Sequence, residues 1–274
     1  MTDVGDSFCI TPASPTAEAT ALVFASPHSG DLYPEDMGAT PGLTAASLRS
    51  AEDALVAQLI ADGPRWGASL IEGRIGRAYV DLNRDPGELD PALIEGLDGP
   101  VGAKTAAGYG VLPRLAGDGT PLYARRMRRE EAETRIETVH RPYHKALGEL
   151  MQATRARRGR AVLIDWHSMP ARAAGVEVVL GDRYGSACSA RLTRRLRDLF
   201  EGLGWRVSLN RPYAGGWSTQ CWGRPDEGYE AIQIEISRGL YLNEATLTPS
   251  AGYGRTHKAL SRVIAALCAE RWAD

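Results

Sequence analysis

Two rhythms of hydrophobic and polar positions alternate along the chain. Short runs rich in apolar residues at 20–26, 69–72, 78–82, 160–166, 176–180, 205–209 and 231–236 read as strands, most of them buried, because a strand covered on both faces needs no polar alternation. Between them, apolar residues recur at helical spacing. Leu48, Leu55, Val56, Leu59 and Ile60 predict a helix over 44–61 that Gly63-Pro64 ends, which puts Glu52 and Asp53 in its middle. A long charged helix is predicted over 127–157, another over 187–202, and a last one over 255–271 with Leu260, Val263, Ile264 and Leu267 turned inward. Repeated strand and helix alternation predicts an α/β fold: a three-layer sandwich with a mixed central sheet and helices on both faces.

Three stretches follow neither rhythm. Residues 1–17 read as an irregular lead-in. Residues 85–122 carry many Gly and Pro without a period and read as a long surface excursion and candidate lid, since loops of that length are usually functional or disordered. Gly215-Gly216-Trp217 and Cys221-Trp222-Gly223 read as a flexible loop ahead of the 231–236 strand, able to close over a substrate.

Ligands in α/β sheets gather at the carboxyl ends of strands, and two of the five histidines are there. His28 follows the 20–26 run in Pro27-His28-Ser29-Gly30, and His167 follows the 160–166 run in Asp165-Trp166-His167-Ser168-Met169. Neutral imidazole suits zinc, and a catalytic zinc takes three protein ligands with one position open. Asp53, Glu52 and Asp31 compete for the third place. Adjacent residues of a regular helix point ~100° apart, so Glu52 and Asp53 cannot both face one metal. Glu235 is a carboxylate inside an apolar run, costly unless paired or at work, and Arg238 is near enough in sequence to neutralise it. Asn83 and Arg84 end the 78–82 run, where a guanidinium fork can grip a carboxylate, and Arg77 precedes it. Arg125, Arg126, Arg128 and Arg129 are interleaved with Glu130 and Glu131 and read as a solvated helix face.

Composition narrows the partners. The 274 residues fit one domain over 1–274, and 32 Lys plus Arg against 34 Asp plus Glu give no reason to expect nucleic acid or an anionic membrane. A small-molecule partner is expected. No apolar stretch approaches the ~20 residues that span a bilayer, and the first residues lack the basic start of a signal peptide, so a cytoplasmic location follows by default. Cys9, Cys188, Cys221 and Cys268 form no CxxC pair, which argues against a thiolate zinc cage or a thioredoxin-like site.

Ser26-Pro27-His28-Ser29-Gly30, Asp81-Leu82-Asn83-Arg84, Asp165-Trp166-His167-Ser168 and Gln233-Ile234-Glu235-Ile236-Ser237-Arg238-Gly239-Leu240-Tyr241 stand in the order of motifs in the N-formylglutamate amidohydrolase family, which the chain resembles from residue 20 to 245. Pro142-Tyr143-His144 and Pro212-Tyr213-Ala214-Gly215-Gly216 look like family motifs too. The resemblance implies a phosphorylase/hydrolase-like fold similar to that of the zinc carboxypeptidases and the aspartoacylase and succinylglutamate desuccinylase group. It implies a zinc amidohydrolase that cleaves N-formyl-L-glutamate to formate and glutamate, a step of histidine degradation. His28, Asp53 and His167 are then the expected zinc ligands, with Glu52 and Asp31 as rivals for the acidic place. Glu235 is the expected general base, Arg77 the expected partner of the oxyanion, and Arg84 with Asn83 the expected grip on a substrate carboxylate. Two alternatives stay open: a zinc hydrolase of the same fold acting on another N-acyl amino acid or a peptide, and a binding or scaffold protein without turnover.

Overall fold

In the computed structural model, which describes residues 7–272, seven strands form one sheet. They are β1 (Phe8–Thr11), β2 (Leu22–Ser26), β3 (Ser69–Gly73), β4 (Ala161–Met169), β5 (Val178–Gly181), β6 (Val207–Leu209) and β7 (Tyr229–Ser237), in the order β1-β3-β2-β4-β7-β5-β6. The sheet is mixed, as expected: β2 runs parallel to β3 and β4, β4 parallel to β7, and β5 antiparallel to β7. The α-helices are α1 (Ala45–Leu48), α2 (Val56–Leu59), α3 (Ala103–Ala106), α4 (Arg129–Arg135), α5 (Arg141–Arg158), α6 (Ala190–Glu201), α7 (Trp217–Trp222) and α8 (Tyr253–Cys268). No helix among the described residues is long and apolar enough to cross a membrane.

The chain folds into two compact units. One gathers Ile10–Pro27, Asp53–Glu72 and the chain from Leu147 onward, and it holds most of the sheet. Side chains alternate across a strand, so Val162, Ile164 and Trp166 of β4 and Ile232, Ile234 and Ile236 of β7 share one face. There they join Phe24, Leu70 and Leu180 and residues of α2, α6 and α8 in the apolar core. The other face takes Asp165 and His167 from β4 and Gln233, Glu235 and Ser237 from β7, all buried. On that face the backbone N–H of Gly216, just before α7, donates to Gln233 Oε1 at 2.8 Å, and Arg155 of α5 lies over the Tyr229 ring. Helices therefore cover both faces, one apolar and one polar.

The other unit gathers, of the described residues, 7–9, His28–Glu52 and Gly73–Ala146. Its core is built largely from loops. Residues 85–122, expected to run over the surface, bury Leu93, Ile94, Val111, Leu112, Ala116 and Leu122, and Arg114 pairs with Asp90 at 2.9 Å. Gly and Pro removed the period here without removing the apolar anchors. The long helix expected over 127–157 is present as α4 and α5, joined without a break by a π-helical turn at Ile136–His140. Arg125, ahead of this helix, pairs with Glu131 of α4 on an exposed face, in line with the solvated-face reading.

Four further expectations are corrected. The 44–61 helix is broken into α1 and α2, with Leu55 in the left-handed region at φ 67°, so Glu52 and Asp53 lie on a non-helical link and the 100° argument does not apply to them. The 78–82 run is a chain of turns in which Tyr79, Val80 and Leu82 are buried nonetheless; their apolarity reports burial and not a strand. Part of the 1–17 lead-in forms edge strand β1, too short and exposed to show a pattern, while residues 1–6 lie outside the described residues. The 215–223 stretch, read as a loop, contains helix α7.

Candidate active site

His28 stands two residues past the end of β2. The chain must then turn tightly, and Gly30 allows it: a Cβ there would lie 2.3 Å from the carbonyl carbon of Arg74. Leu32 continues the contact, its N–H donating to Arg74 O and its C=O accepting from the N–H of Gly76. His28 is 1 % exposed, and its Nε2 lies 2.7 Å from Asp81 Oδ1. Burial alone would raise the Asp81 pKa, but Arg77 and His28 hold it well below the usual carboxylate range, with Arg84 adding to the effect. Ionised Asp81 makes Nε2 the donor, so Nδ1 carries the lone pair that a metal would need.

Asp81 also fixes the arginines. Arg77 Nε donates to Asp81 Oδ2 at 2.9 Å, Arg84 Nε lies 3.8 Å from the same oxygen, and the backbone N–H of Asn83 donates to Oδ1 at 2.9 Å. Arg84 reaches on to Glu88 at 3.3 Å. His144 Nε2 of α5 bonds Leu82 O and His140 Nε2 of the preceding π-helical turn bonds Arg84 O, so the motif residue His144 and His140 together clamp this turn. The sequence motif Asp81-Leu82-Asn83-Arg84 is thus a single device: an acid that orients one histidine and two arginines. No role for Asp81 follows from the sequence by itself, although an acid at the end of an apolar run was the available signal.

Asp53 and His167 are joined within the sheet-bearing unit. Asp53 Oδ2 lies 3.0 Å from His167 Nδ1, while Oδ1 accepts from Ser168 Oγ at 2.9 Å and from Arg238 at 3.3 Å. Arg238 also donates to Ser168 Oγ. The arginine weighed as a neutraliser of Glu235 is therefore engaged by Asp53. His167 is inside β4 and not beyond its end, 2 % exposed. Asp165 Oδ2 lies 3.1 Å from His167 Nε2, at ion-pair distance but without hydrogen-bond geometry. Burial would lower the His167 pKa, but Asp165 and then Asp53 outweigh it and hold the imidazole well above its ordinary range. Two carboxylates flanking one imidazole make a place that favours positive charge.

Glu235 is directly opposite His167 in the β4–β7 register, and both project from the polar face. Its Oε1 accepts from Gln233 Nε2 at 2.6 Å, and Gln233 is in turn held by the N–H of Gly216. Gln233, quoted in a motif but given no role, emerges as the residue that orients Glu235.

His28, Asp53 and His167 are all buried, each within its own unit. The rival acids are placed otherwise. Glu52 is buried against Arg49 and the Tyr33 hydroxyl, and burial raises its pKa despite them. Asp31 has a side chain 61 % exposed and faces Arg49 at 3.5 Å.

A model of the N-formylglutamate amidohydrolase family matches residues 20–242. The chain belongs to that family. Among N-formylglutamate deformylases, the Pseudomonas aeruginosa protein is 27 % identical over 237 residues, 81 % of this chain and 82 % of that one. The Pseudomonas putida protein is 29 % identical over 187 residues, 65 % and 66 % of the two chains. The crystal structure of N-formylglutamate amidohydrolase from Ralstonia eutropha JMP134 superposes with a TM-score of 0.90 at 33 % identity, covering 96 % of this chain and 97 % of that one. A gene product of Agrobacterium tumefaciens shares the fold, with a TM-score of 0.63 at 21 % identity. In this N-formylglutamate amidohydrolase family member, the motifs around His28, Asp81, His167 and Glu235 each contain residues of the clusters described above.

Proposed function

We propose that the chain is a zinc-dependent amidohydrolase that cleaves N-formyl-L-glutamate to formate and glutamate. The observation that carries the reading is the buried Asp53–His167 pair, with Oδ2 and Nδ1 3.0 Å apart, in a chain of this family that also buries His28. Two imidazoles and one carboxylate are the donor set of a catalytic zinc with an open position. The raised His167 pKa fits as well, because a group that holds a proton so firmly stands where a cation belongs. When bound, zinc supplies Lewis acidity toward water and toward an amide carbonyl.

The protein's own residues divide the remaining work. Glu235, held by Gln233, takes a proton from the attacking water and returns it to the departing amine nitrogen. Asp81 fixes the His28 tautomer through Nε2, and Asp165, 3.1 Å from His167 Nε2, makes that imidazole a more basic ligand. Arg77, anchored through Nε to Asp81, stabilises the oxyanion that forms as the formyl carbonyl is attacked. Arg84, with Asn83, holds a carboxylate of the substrate. The products are formate and glutamate, both acidic, and their small size agrees with the balanced charge of the chain.

The test is formate release from N-formyl-L-glutamate by purified protein, run as isolated, after chelation and after zinc is restored. Release abolished by chelator and recovered with zinc is expected. No release from protein carrying one zinc per chain would overturn the substrate, and full release from metal-free protein would overturn the metal.

A further inference from the structure

We propose that Ser168 and Arg238 are positioning residues that restrict Asp53 to a single metal bond, through Oδ2, and so hold the metal to a low coordination number. This rests on the proposed zinc reading, in which Asp53 and His167 are ligands, and deepens it by giving the two Asp53 oxygens unlike duties.

The geometry begins at the carboxylate. Asp53 meets two consecutive residues of β4, whose side chains leave the strand on opposite faces, and it gives one oxygen to each. Oδ2 lies 3.0 Å from His167 Nδ1, while Oδ1 accepts from Ser168 Oγ at 2.9 Å. Arg238, directly after β7, completes the second half: its Nε donates to Ser168 Oγ at 3.1 Å and its Nη2 to Asp53 Oδ1 at 3.3 Å. A serine hydroxyl has one proton to give, and with Arg238 as its donor that proton is turned onto Oδ1. One guanidinium thus orients the hydroxyl and binds the carboxylate. Ser168, Arg238 and Asp53 are all buried, which limits competition from water. Next to Asp53 in the chain, Ala54 O accepts from the Tyr241 hydroxyl at 3.1 Å, which fixes the backbone there.

The two oxygens are therefore not equivalent to an incoming cation. A carboxylate can take a metal through one oxygen or both, and ions that gather many oxygen ligands use the second mode. For Oδ1 to join Oδ2 on a metal, Asp53 would have to turn away from both donors and leave a buried guanidinium without this carboxylate, which is costly. Oδ2 alone, beside imidazole nitrogens, matches a four-coordinate zinc with an open position. In the competing reading, a plain buried ion pair, a lysine would serve as well as Arg238, and Ser168 could be alanine without effect on a metal.

The test is visible spectroscopy of the full chain loaded with cobalt(II), which absorbs far more strongly in a tetrahedral field than when five- or six-coordinate. Wild type should show the intense tetrahedral bands. Ser168→Ala, which frees Oδ1, should bind cobalt with weaker bands, and its preference for zinc over manganese(II), an ion of higher coordination number, should fall about tenfold in competition titrations. Ser168→Thr keeps the hydroxyl and should restore both. Arg238→Lys keeps the charge but not the fork, so it should resemble Ser168→Ala, and it decides the matter alone if Ser168→Ala does not fold. Weak bands in wild type, or wild-type bands and ion preference in Ser168→Ala, would overturn the proposal and leave zinc binding standing. Wild-type protein that takes up neither zinc nor cobalt would overturn the metal reading, and the proposal with it.

Discussion

His167 of β4 and Glu235 of β7 are register partners on adjacent parallel strands, so a prospective ligand and a prospective base project side by side from one buried face. The pairing is set by backbone hydrogen bonds, and the distance between the two groups does not depend on a loop.

Glu235→Gln keeps the shape of the side chain and removes its basicity. Turnover of N-formyl-L-glutamate should fall about 10²–10⁴-fold, the range of general-base loss, while bound zinc per chain is unchanged. Kinetics alongside metal analysis check both halves. Normal turnover would remove Glu235 from the chemistry.

Asp53 has a structural duty apart from any metal, since it accepts from Arg238 and Ser168 and lies against His167. Removing one member of a buried ion pair costs about 3–5 kcal/mol. Asp53→Ala should therefore lower the denaturation midpoint of metal-free protein as well as abolish zinc binding. A metal-free midpoint equal to that of wild type would mean that Arg238 is satisfied without it.

The raised pKa of His167 gives a pH dependence with a definite sign. A folded-state pKa above the unfolded value, about 6.5, means that the imidazolium's contribution to the metal-free protein is full at lower pH and fades as pH rises through the folded value. The stability difference between metal-free wild type and His167→Gln should shrink as pH rises above neutral. Zinc affinity should strengthen over the same interval, because the ion displaces the proton. Affinity flat with pH would show that His167 enters binding already neutral.

The cysteines should label unequally. Cys9 is exposed, while burial pushes the thiols of Cys188 and Cys268 up to about 12 and so removes their thiolate at neutral pH. A thiol reagent at pH 8 should modify Cys9 quickly and reach Cys188 and Cys268 only on unfolding. Mass spectrometry of the labelled protein distinguishes the sites.

The strands that carry the chemistry were legible because both faces of β4 and β7 are covered, which leaves a polar residue conspicuous in an apolar run, as Glu235 was, whereas His167 stood out as a histidine read at a strand's end. Asp53 could be named from the family resemblance, with Glu52 and Asp31 as rivals, but its surroundings could not, because the break at Leu55 depends on a left-handed backbone that no local residue announces. The turn at 78–82 was misread for the opposite reason. Tyr79, Val80 and Leu82 are as buried as strand residues, and apolarity alone does not say how the backbone bonds are met. Gln233, Asp81 and Ser168 act on other side chains, and such second-order duties become visible only when distances are known.

The division of the sheet into an apolar face and a polar face makes strand register a catalytic variable. Slipping β4 by one residue against β7 would bring Trp166 to the polar row and drive His167 into the hydrocarbon side, a change that no side-chain adjustment could repair. The sheet can therefore reach its active arrangement in one alignment alone, and during refolding the recovery of activity should await correct pairing at the centre of the sheet, however early the peripheral helices form.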